Sequence, residues 1–412
     1  MNSINQEIPY LYESLKNQKK IFQDTLILNP VENIPPDDIL MPCNSFLHGL
    51  YNTDSIRDTD SKFQSKLQFS GRDSINKDIN NIYELWADLL GAEKLSMRLL
   101  SGLHAHIVLF MSITNIGDKV MLLPEKAGGH LSGKAILQRL GLQIEEIPFD
   151  TENRCIDKEK CQQMIDCYQP KILFIDRSEG IDYEDFSWLN ECTSCYKIFD
   201  ASQYLTNIIC GDYKNPFDMG FDLILSSMHK NLPGPQRAFV CTKVKNEYWE
   251  KLRSGISTYV SNMHVFSIYS AGLLLGHLDE LHNLSQNMLK NALALDYELM
   301  VNDVPIVSRN TKLSEPPTHH CWIKPPCKEK TFDLFLILER LGILTNYRLL
   351  PYNIGYGLRL GMSAATISGL TKQDIPLLGA LIGKAYHEGY SDKLKINTVD
   401  FIHKIKGDEH KK

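Results

Sequence analysis

The chain has 412 residues, 43% of them hydrophobic and 23% charged, with a formal net charge of −6. That is enough for two or three ordinary domains, or one large one with an appendage, at the composition of a globular protein. The acidic balance gives no electrostatic case for nucleic acid or an anionic membrane as partner; no apolar run could span a bilayer, the first twenty residues lack an apolar signal-peptide core, and a cytoplasmic protein is expected.

In chain order, Asn2 to Gln23 mixes polar and apolar residues and predicts a helix. Leu26-Ile27-Leu28-Asn29-Pro30 follows, and Pro35-Pro36 closes it as irregular structure. Residues 52–73 are rich in Ser, Asp, Lys and Gln and read as a long surface or active-site loop. A helix is predicted from about Ile75 to Leu90, stopped by Gly91. Short apolar strands then alternate with helical stretches. Lys119–Leu123, Gln143–Ile147, Lys171–Ile175, Tyr196–Phe199, Leu223–Ser226 and Ala238–Cys241 read as strands, and Ala135–Leu140 as a helix stopped by Gly141. The alternation predicts an α/β domain built on a mostly parallel sheet.

Ile268 to Met300 is apolar-periodic and predicts one long helix that leaves this domain and enters a second. Beyond residue 303, strands at Cys321–Ile323 and Leu358–Leu360 mix with helices at Phe332–Leu341 and Lys372–His387, the pattern of a smaller α+β domain. The charged end, Gly407 to Lys412, is expected to fray. The division is therefore an N-terminal arm over 1–25, a large domain over 26–275 and a small one over 276–412. Ten cysteines lack the density of a disulfide scaffold. Cys192 and Cys195 form one CxxC, compatible with redox or zinc chemistry. With no second pair nearby, they read as two thiols in a connection, and no metal site is expected.

The chemistry concentrates where strands end. Phe221 to Lys230 runs from an apolar strand into Ser226-Ser227-Met228-His229-Lys230, and Asn231-Leu232-Pro233-Gly234-Pro235 then forces a turn. In open α/β sheets ligands bind beyond the carboxyl ends of the strands. Lys230 sits there, and a lysine amine condenses with an aldehyde to an imine. The alternative is a solvated lysine at a strand end. Asp200 ends the strand Tyr196-Lys197-Ile198-Phe199-Asp200 and is suited to keep a pyridine nitrogen protonated, which makes the ring an electron sink. The thirty residues between the two leave room for one crossover.

Ser101-Gly102 precedes the helical run Leu103 to Ile113, where an N-cap and free backbone N–H groups can receive a phosphate. Gly128-Gly129 lets the backbone approach closely, and His130 can lie flat on a ring; a surface turn is the alternative. Arg359, in Gly355-Tyr356-Gly357-Leu358-Arg359-Leu360-Gly361, is a candidate for bidentate hold on a carboxylate, against a structural ion pair.

Taken in order, Ser101-Gly102, Gly128-Gly129-His130, Asp200, Ser227-Met228-His229-Lys230 and Gly357-Leu358-Arg359 resemble the serine hydroxymethyltransferases. Leu28 with Glu32-Asn33 is similar to that family's early LIxSEN-type segment. The resemblance covers roughly residues 20 to 390. It implies a fold-type I, aspartate aminotransferase-like enzyme dependent on pyridoxal 5'-phosphate (PLP), with a large mixed-sheet domain, a small C-terminal domain, and a homodimer with shared sites. It further implies that Lys230 carries the internal aldimine, Asp200 pairs with the ring nitrogen and His130 stacks on the ring. Ser101 and Gly102, with Leu103, Gln203 and Ser227, border the cofactor, as does His229. Arg359 takes the amino-acid carboxylate, and Tyr51 reaches the neighbouring subunit's site.

The departures bear on function. Where these hydroxymethyltransferases follow the tyrosine two residues later with a glutamate, Tyr51 is followed by Asn52-Thr53-Asp54. Val31 replaces a serine near the substrate, Gln203 a histidine, and Leu103 a second phosphate-binding serine. These changes point away from ordinary folate-dependent serine–glycine exchange. Lys230 to Gln236 resembles the HKxxPGPQ stretch of threonine transaldolases, and Ser261-Asn262-Met263-His264 an SNxH stretch of the same branch, though Gln203 departs from that branch too. The expected chemistry is Cα–Cβ cleavage and formation on a β-hydroxy-α-amino acid, with an aldehyde as second partner. Folate-dependent hydroxymethyl transfer, transamination, decarboxylation and a non-catalytic relative are the alternatives.

Overall fold

A computed structural model describes residues 2–53, 69–310 and 317–407. Its central sheet has seven strands. From edge to edge they are Lys94–Ser96, Ala238–Thr242, Leu223–Ser227, Tyr196–Asp200, Ile172–Asp176, Lys119–Leu122 and Gln143–Glu146. Ala238–Thr242 runs antiparallel to both of its neighbours, and the pairings from Leu223–Ser227 across to Gln143–Glu146 are parallel. The mostly parallel sheet expected from the alternating pattern is therefore present.

Strand side chains alternate between two cores, as a period of two requires. Ile198, Leu223 and Leu225 join a cluster with Phe110, Phe174 and Trp249 on one face. Phe199, Ile224 and Phe239 join a larger cluster with Trp86, Phe186 and Phe221 on the other. Strands buried on both faces read as continuous apolar runs, which is why they were legible. Helices over Asp73–Leu90 and Gly102–Ile113 start and stop close to expectation, and Gly91 takes the left-handed conformation (φ 67°) that ends the first.

The long helix expected over Ile268–Met300 is instead interrupted. Val265–Leu273 and Leu278–Val301 are α-helical, and Leu274–His277 between them is a tighter 3-10 turn. At this break His277 bonds Asp38 (2.8 Å). Apolar periodicity survives a single tight turn, so the pattern alone could not reveal it.

A second sheet joins His320–Ile323, Gly355–Gly361 and Asn346–Leu350, antiparallel throughout. The helices Lys328–Leu341 and Ile375–Glu388 accompany it, as does Asp392–Lys406, which the pattern did not single out. Leu26–Ile27 pairs with Ile343–Leu344, tying the segment after the first helix, Asn2–Gln23, to this C-terminal region. Most of the loop over 52–73, and the charged end beyond Gly407, lie outside the described residues. No helix among the described residues is long and apolar enough to cross a membrane.

Candidate active site

The carboxyl ends of the parallel strands converge on one region. Asp176 and Asp200 end adjacent strands in register with each other. Leu223–Ser227 ends beside them and leads directly into Met228, His229 and Lys230. A strand terminus leaves side chains beyond the last ladder bond, where they face a common cleft.

Asp200 is buried. Its Oδ1 accepts the backbone N–H of Ser202 (2.8 Å), and its Oδ2 lies 2.7 Å from His106 Nε2. Burial pushes the carboxyl up, but the His106 bond and charge, with Lys230 and Ser202, outweigh it and hold Asp200 down at about 2. The carboxylate is therefore ionised at neutral pH, as a partner for a protonated ring nitrogen must be. The ligand atoms of His106, Asp176 and Asp200 all lie within 4.8 Å of one another.

Ser101 caps the helix Gly102–Ile113, its Oγ accepting from the N–H of His104 (3.2 Å). A Cβ added to Gly102 would lie 3.5 Å from Ser227 Cβ, so the helix start and the end of the Leu223–Ser227 strand meet here. Ser227 donates its N–H to Ser202 Oγ (2.9 Å), while its own buried Oγ has no hydrogen-bond partner among the described residues. An unsatisfied buried hydroxyl is costly. Beside a helix N-terminus it is a receptor for an anionic oxygen such as phosphate.

Gly128 (φ +90°) and Gly129 have no room for side chains. Added Cβ atoms would meet the carbonyl oxygens of Glu179 at 2.2 Å and Leu123 at 2.1 Å. This crowding fixes His130, whose Nδ1 accepts from Ser132 N–H (3.2 Å) and whose ring stands edge-on to His106 at 6.0 Å. Burial lowers the His130 pKa, so the ring is neutral at pH 7. His229 is pulled down to about 4, first by burial and then by Lys230, and its buried Nδ1 has no partner among the described residues.

Arg359 is buried in the strand Gly355–Gly361. Its Nη1 donates to the Ser178 carbonyl (3.2 Å) and lies 3.9 Å from Glu179 Oε1, while its Nε has no partner among the described residues. Burial pulls the guanidinium down to about 10 despite Glu179. Glu179 is held more closely by Arg348. Gln203 is buried and bonds His320 Nε2 through Oε1 (3.2 Å). Leu103, by contrast, is 40% exposed, on the solvent side of its helix, and Tyr51 is 39% exposed with its ring 4.9 Å from Phe69. Within one chain neither is enclosed by the cleft.

Sequence reasoning assigned no role to several contributors, among them Asn33 and Asn231, which stand in segments it singled out. Asn33 donates to the carbonyls of Lys230 (2.6 Å) and Asn231 (3.3 Å), clasping the lysine turn. Asn231, fully buried, accepts from Thr206 N–H (2.7 Å). Arg237 is buried with its guanidinium on Ser267 Oγ (2.7 Å) and on the carbonyls of Met97, Met263 and His264, and Arg98 reaches those of Val260 and Ser261. The two arginines thus support the Ser261–His264 stretch, and Asn262 accepts the N–H of Asn52 (3.3 Å). Asp176 was detectable: like Asp200, it directly follows an apolar strand. Cys192 and Cys195 lie in the connection before the Tyr196–Asp200 strand, with their sulfurs 3.7 Å apart.

A lysine and a carboxylate at neighbouring strand ends, with an anion receptor at a helix start, are the parts a PLP site of the fold-type I class requires. The orphaned Ser227 hydroxyl and the ionised Asp200 fit the cofactor's phosphate and ring nitrogen. The sequence model of serine hydroxymethyltransferase matches residues 78–382, well over half of the chain. The chain belongs to the serine hydroxymethyltransferase family and is a PLP-dependent enzyme.

Among curated relatives, serine hydroxymethyltransferase of Pyrobaculum calidifontis is 24% identical over 327 residues, covering 77% of this chain and 76% of that one. That of Staphylothermus marinus is 26% identical over 302 residues, covering 70% and 68%. Among solved structures, L-threonine transaldolase from Pseudomonas fluorescens, in its internal aldimine state, superposes with a TM-score of 0.89. It is 19% identical, and the match covers 98% of this chain and 94% of that one.

Proposed function

We propose that this enzyme makes and breaks the Cα–Cβ bond of a β-hydroxy-α-amino acid, releasing one aldehyde and capturing another, as a threonine transaldolase does. When bound, PLP supplies the carbonyl that takes up amines and the electron sink that allows a bond at Cα to break heterolytically. The protein contributes the rest. Lys230 presents the amine at a strand end, its turn clasped by Asn33. Asp200 stays anionic and keeps the ring nitrogen protonated. Ser101, Gly102 and Ser227 receive the phosphate, and Arg359 holds the substrate carboxylate. His130 and His229 are both neutral at pH 7, so they line the site without adding charge to it.

In the bond change, the β-hydroxyl gives up its proton and its oxygen becomes the carbonyl of the leaving aldehyde. The Cα–Cβ pair remains on Cα, the carbonyl carbon of the incoming aldehyde then receives it, and the oxygen of that aldehyde takes up one proton, matching the one released, to become the new β-hydroxyl. The observation that carries this reading is Thr53, two residues after Tyr51 and 9% exposed, where folate-dependent relatives use a glutamate to handle protons. A threonine hydroxyl is neither acid nor base near neutral pH. The chain-long likeness to the transaldolase structure supports the same choice.

The curated relatives named serine hydroxymethyltransferase favour a second reading, folate-dependent exchange of serine and glycine. The test is acetaldehyde release from L-threonine by PLP-loaded protein without folate, with and without aromatic and aliphatic aldehydes. Release that rises with an added aldehyde supports transaldol chemistry. Activity on serine that requires tetrahydrofolate, with none on threonine, replaces it with the second reading. The proposal also keeps the division into an arm over 1–25, a large domain over 26–275 and a small domain over 276–412, and a homodimer that would enclose Tyr51.

A further inference from the structure

We propose that His106 and Asp176 are positioning residues for Asp200: His106 orients its carboxylate and carries a positive charge, and Asp176 restores the net negative charge that a protonated ring nitrogen needs. The inference rests on the reading that Asp200 faces that nitrogen.

His106 lies on the helix Gly102–Ile113, Asp176 and Asp200 on adjacent strands, so three elements bring the groups together. All three residues are at least 95% buried. The imidazole cannot easily turn away, because Phe174 packs edge-on at 5.1 Å and His130 edge-on at 6.0 Å. Its Nε2 lies 2.7 Å from Asp200 Oδ2 and 3.8 Å from Asp176 Oδ2. Asp176 Oδ1 accepts the Ser178 hydroxyl (2.8 Å), but Oδ2 has no hydrogen-bond partner among the described residues, and neither does His106 Nδ1.

Charge counting follows from burial. A buried charge must be balanced locally or lost by protonation. Two carboxylates and one imidazolium sum to −1, and one pyridinium brings the cluster to neutrality. With Asp176 protonated, the His106–Asp200 pair would already be neutral, and a protonated ring would add an unbalanced buried cation. With His106 neutral, the pocket would hold two adjacent anions. Burial lowers the His106 pKa, and the Lys230 amine lowers it too. The Asp200 bond and the charges of Asp176 and Asp200 more than offset both, so it is raised on balance. Burial first, then Asp200, raise the Asp176 carboxyl on balance, against the opposing pull of His106, His130 and Ser178. The loaded cluster thus gains a cation that draws Asp176 into its ionised form.

The experiment is a pH titration of the His106 ring nitrogens by NMR in the full-length protein, before and after PLP loading, assigned by the loss of signal in His106→Asn. The expected result is a ring protonated at both nitrogens at pH 8 in the loaded protein. In Asp176→Asn the His106 pKa should fall enough to reduce its protonation at least tenfold, and PLP dissociation should rise at least tenfold. His106→Asn, which retains a side-chain donor, should bind PLP more tightly than His106→Phe. A neutral His106 in loaded wild-type protein overturns the proposal, and that result needs no variant to fold. Unchanged His106 titration and PLP affinity in Asp176→Asn overturn it equally. If instead Lys230→Ala retains a borohydride-reducible PLP adduct, the Lys230 assignment fails and the placement of the ring nitrogen against Asp200 fails with it, while the titration in the unloaded chain still judges the His106 charge.

Discussion

The side-chain amide of Asn33 donates to the carbonyl of Lys230 at 2.6 Å, across 197 positions of sequence. Through a backbone atom, it fixes the residue from which the reactive amine extends. Asn33→Ala should leave two turn carbonyls without that donor and cost about 1 kcal/mol of stability. PLP should also dissociate faster from the variant. Denaturant unfolding and cofactor exchange measure the two effects, and a variant identical to wild type in both would show that the clasp is incidental.

Lys230→Ala should abolish the visible absorbance that PLP acquires on the wild-type protein, because the variant lacks the amine that forms the imine. Spectra after dialysis against PLP, followed by borohydride reduction and peptide mapping, identify the modified residue. A label elsewhere removes Lys230 from the mechanism.

Arg359→Lys keeps the charge but loses the planar fork that engages a carboxylate through two bonds. The KM for the amino acid should rise about 10- to 100-fold, with a smaller change in kcat, as loss of uniform binding requires. Glu179 lies 3.9 Å from the same guanidinium. If Arg359 only pairs with Glu179 structurally, the variant will lose stability without this KM effect.

His319 is fully buried, and its Nε2 has no hydrogen-bond partner among the described residues. Burial first, then Arg359 and Arg309, pull its pKa from 6.5 to about 3. Between these values the unfolded chain binds a proton that the folded one refuses. The associated stability is fully present above pH 6.5 and is lost as pH falls toward 3. His319→Gln should therefore lose less stability than wild type between pH 6.5 and 4.5, read as the shift in urea midpoint. Equal losses would assign the acid sensitivity to other groups.

Gly128→Ala should destabilise the protein by at least about 2 kcal/mol, since the backbone is at φ +90° and the added Cβ would meet the Glu179 carbonyl oxygen at 2.2 Å. His130 follows two residues later, so PLP affinity should fall with it. Thermal unfolding with and without PLP separates the two losses.

Local chemistry was readable wherever it sat within a few residues of its own structural signal. The apolar strands before Asp200 and Lys230, the serine before the Gly102–Ile113 helix and the glycines before His130 all lie within one or two turns of what they position. Asn33 stood out only through the LIxSEN-type resemblance, and its role carried no local signal, because its partners are set by a turn that is near only after folding. His106 looked like one more residue of an apolar helix. Its meaning depends on Asp200, 94 positions away.

The sequence by itself determined the strand-and-helix alternation, the parallel character of the sheet and the order in which lysine, aspartate, histidine and arginine arrive at its edge. Periodicity and turn chemistry act over a few residues, so these are local properties of the chain. Only the tertiary structure decided that Asp176 stands beside Asp200 in register, that His106 lies between the two carboxylates, that Glu179 faces Arg359, and that the helix after Val265 breaks at Leu274–His277. Those outcomes depend on strand order and crossover placement, and on which buried charges can find partners, and these balances exist only once distant segments pack together.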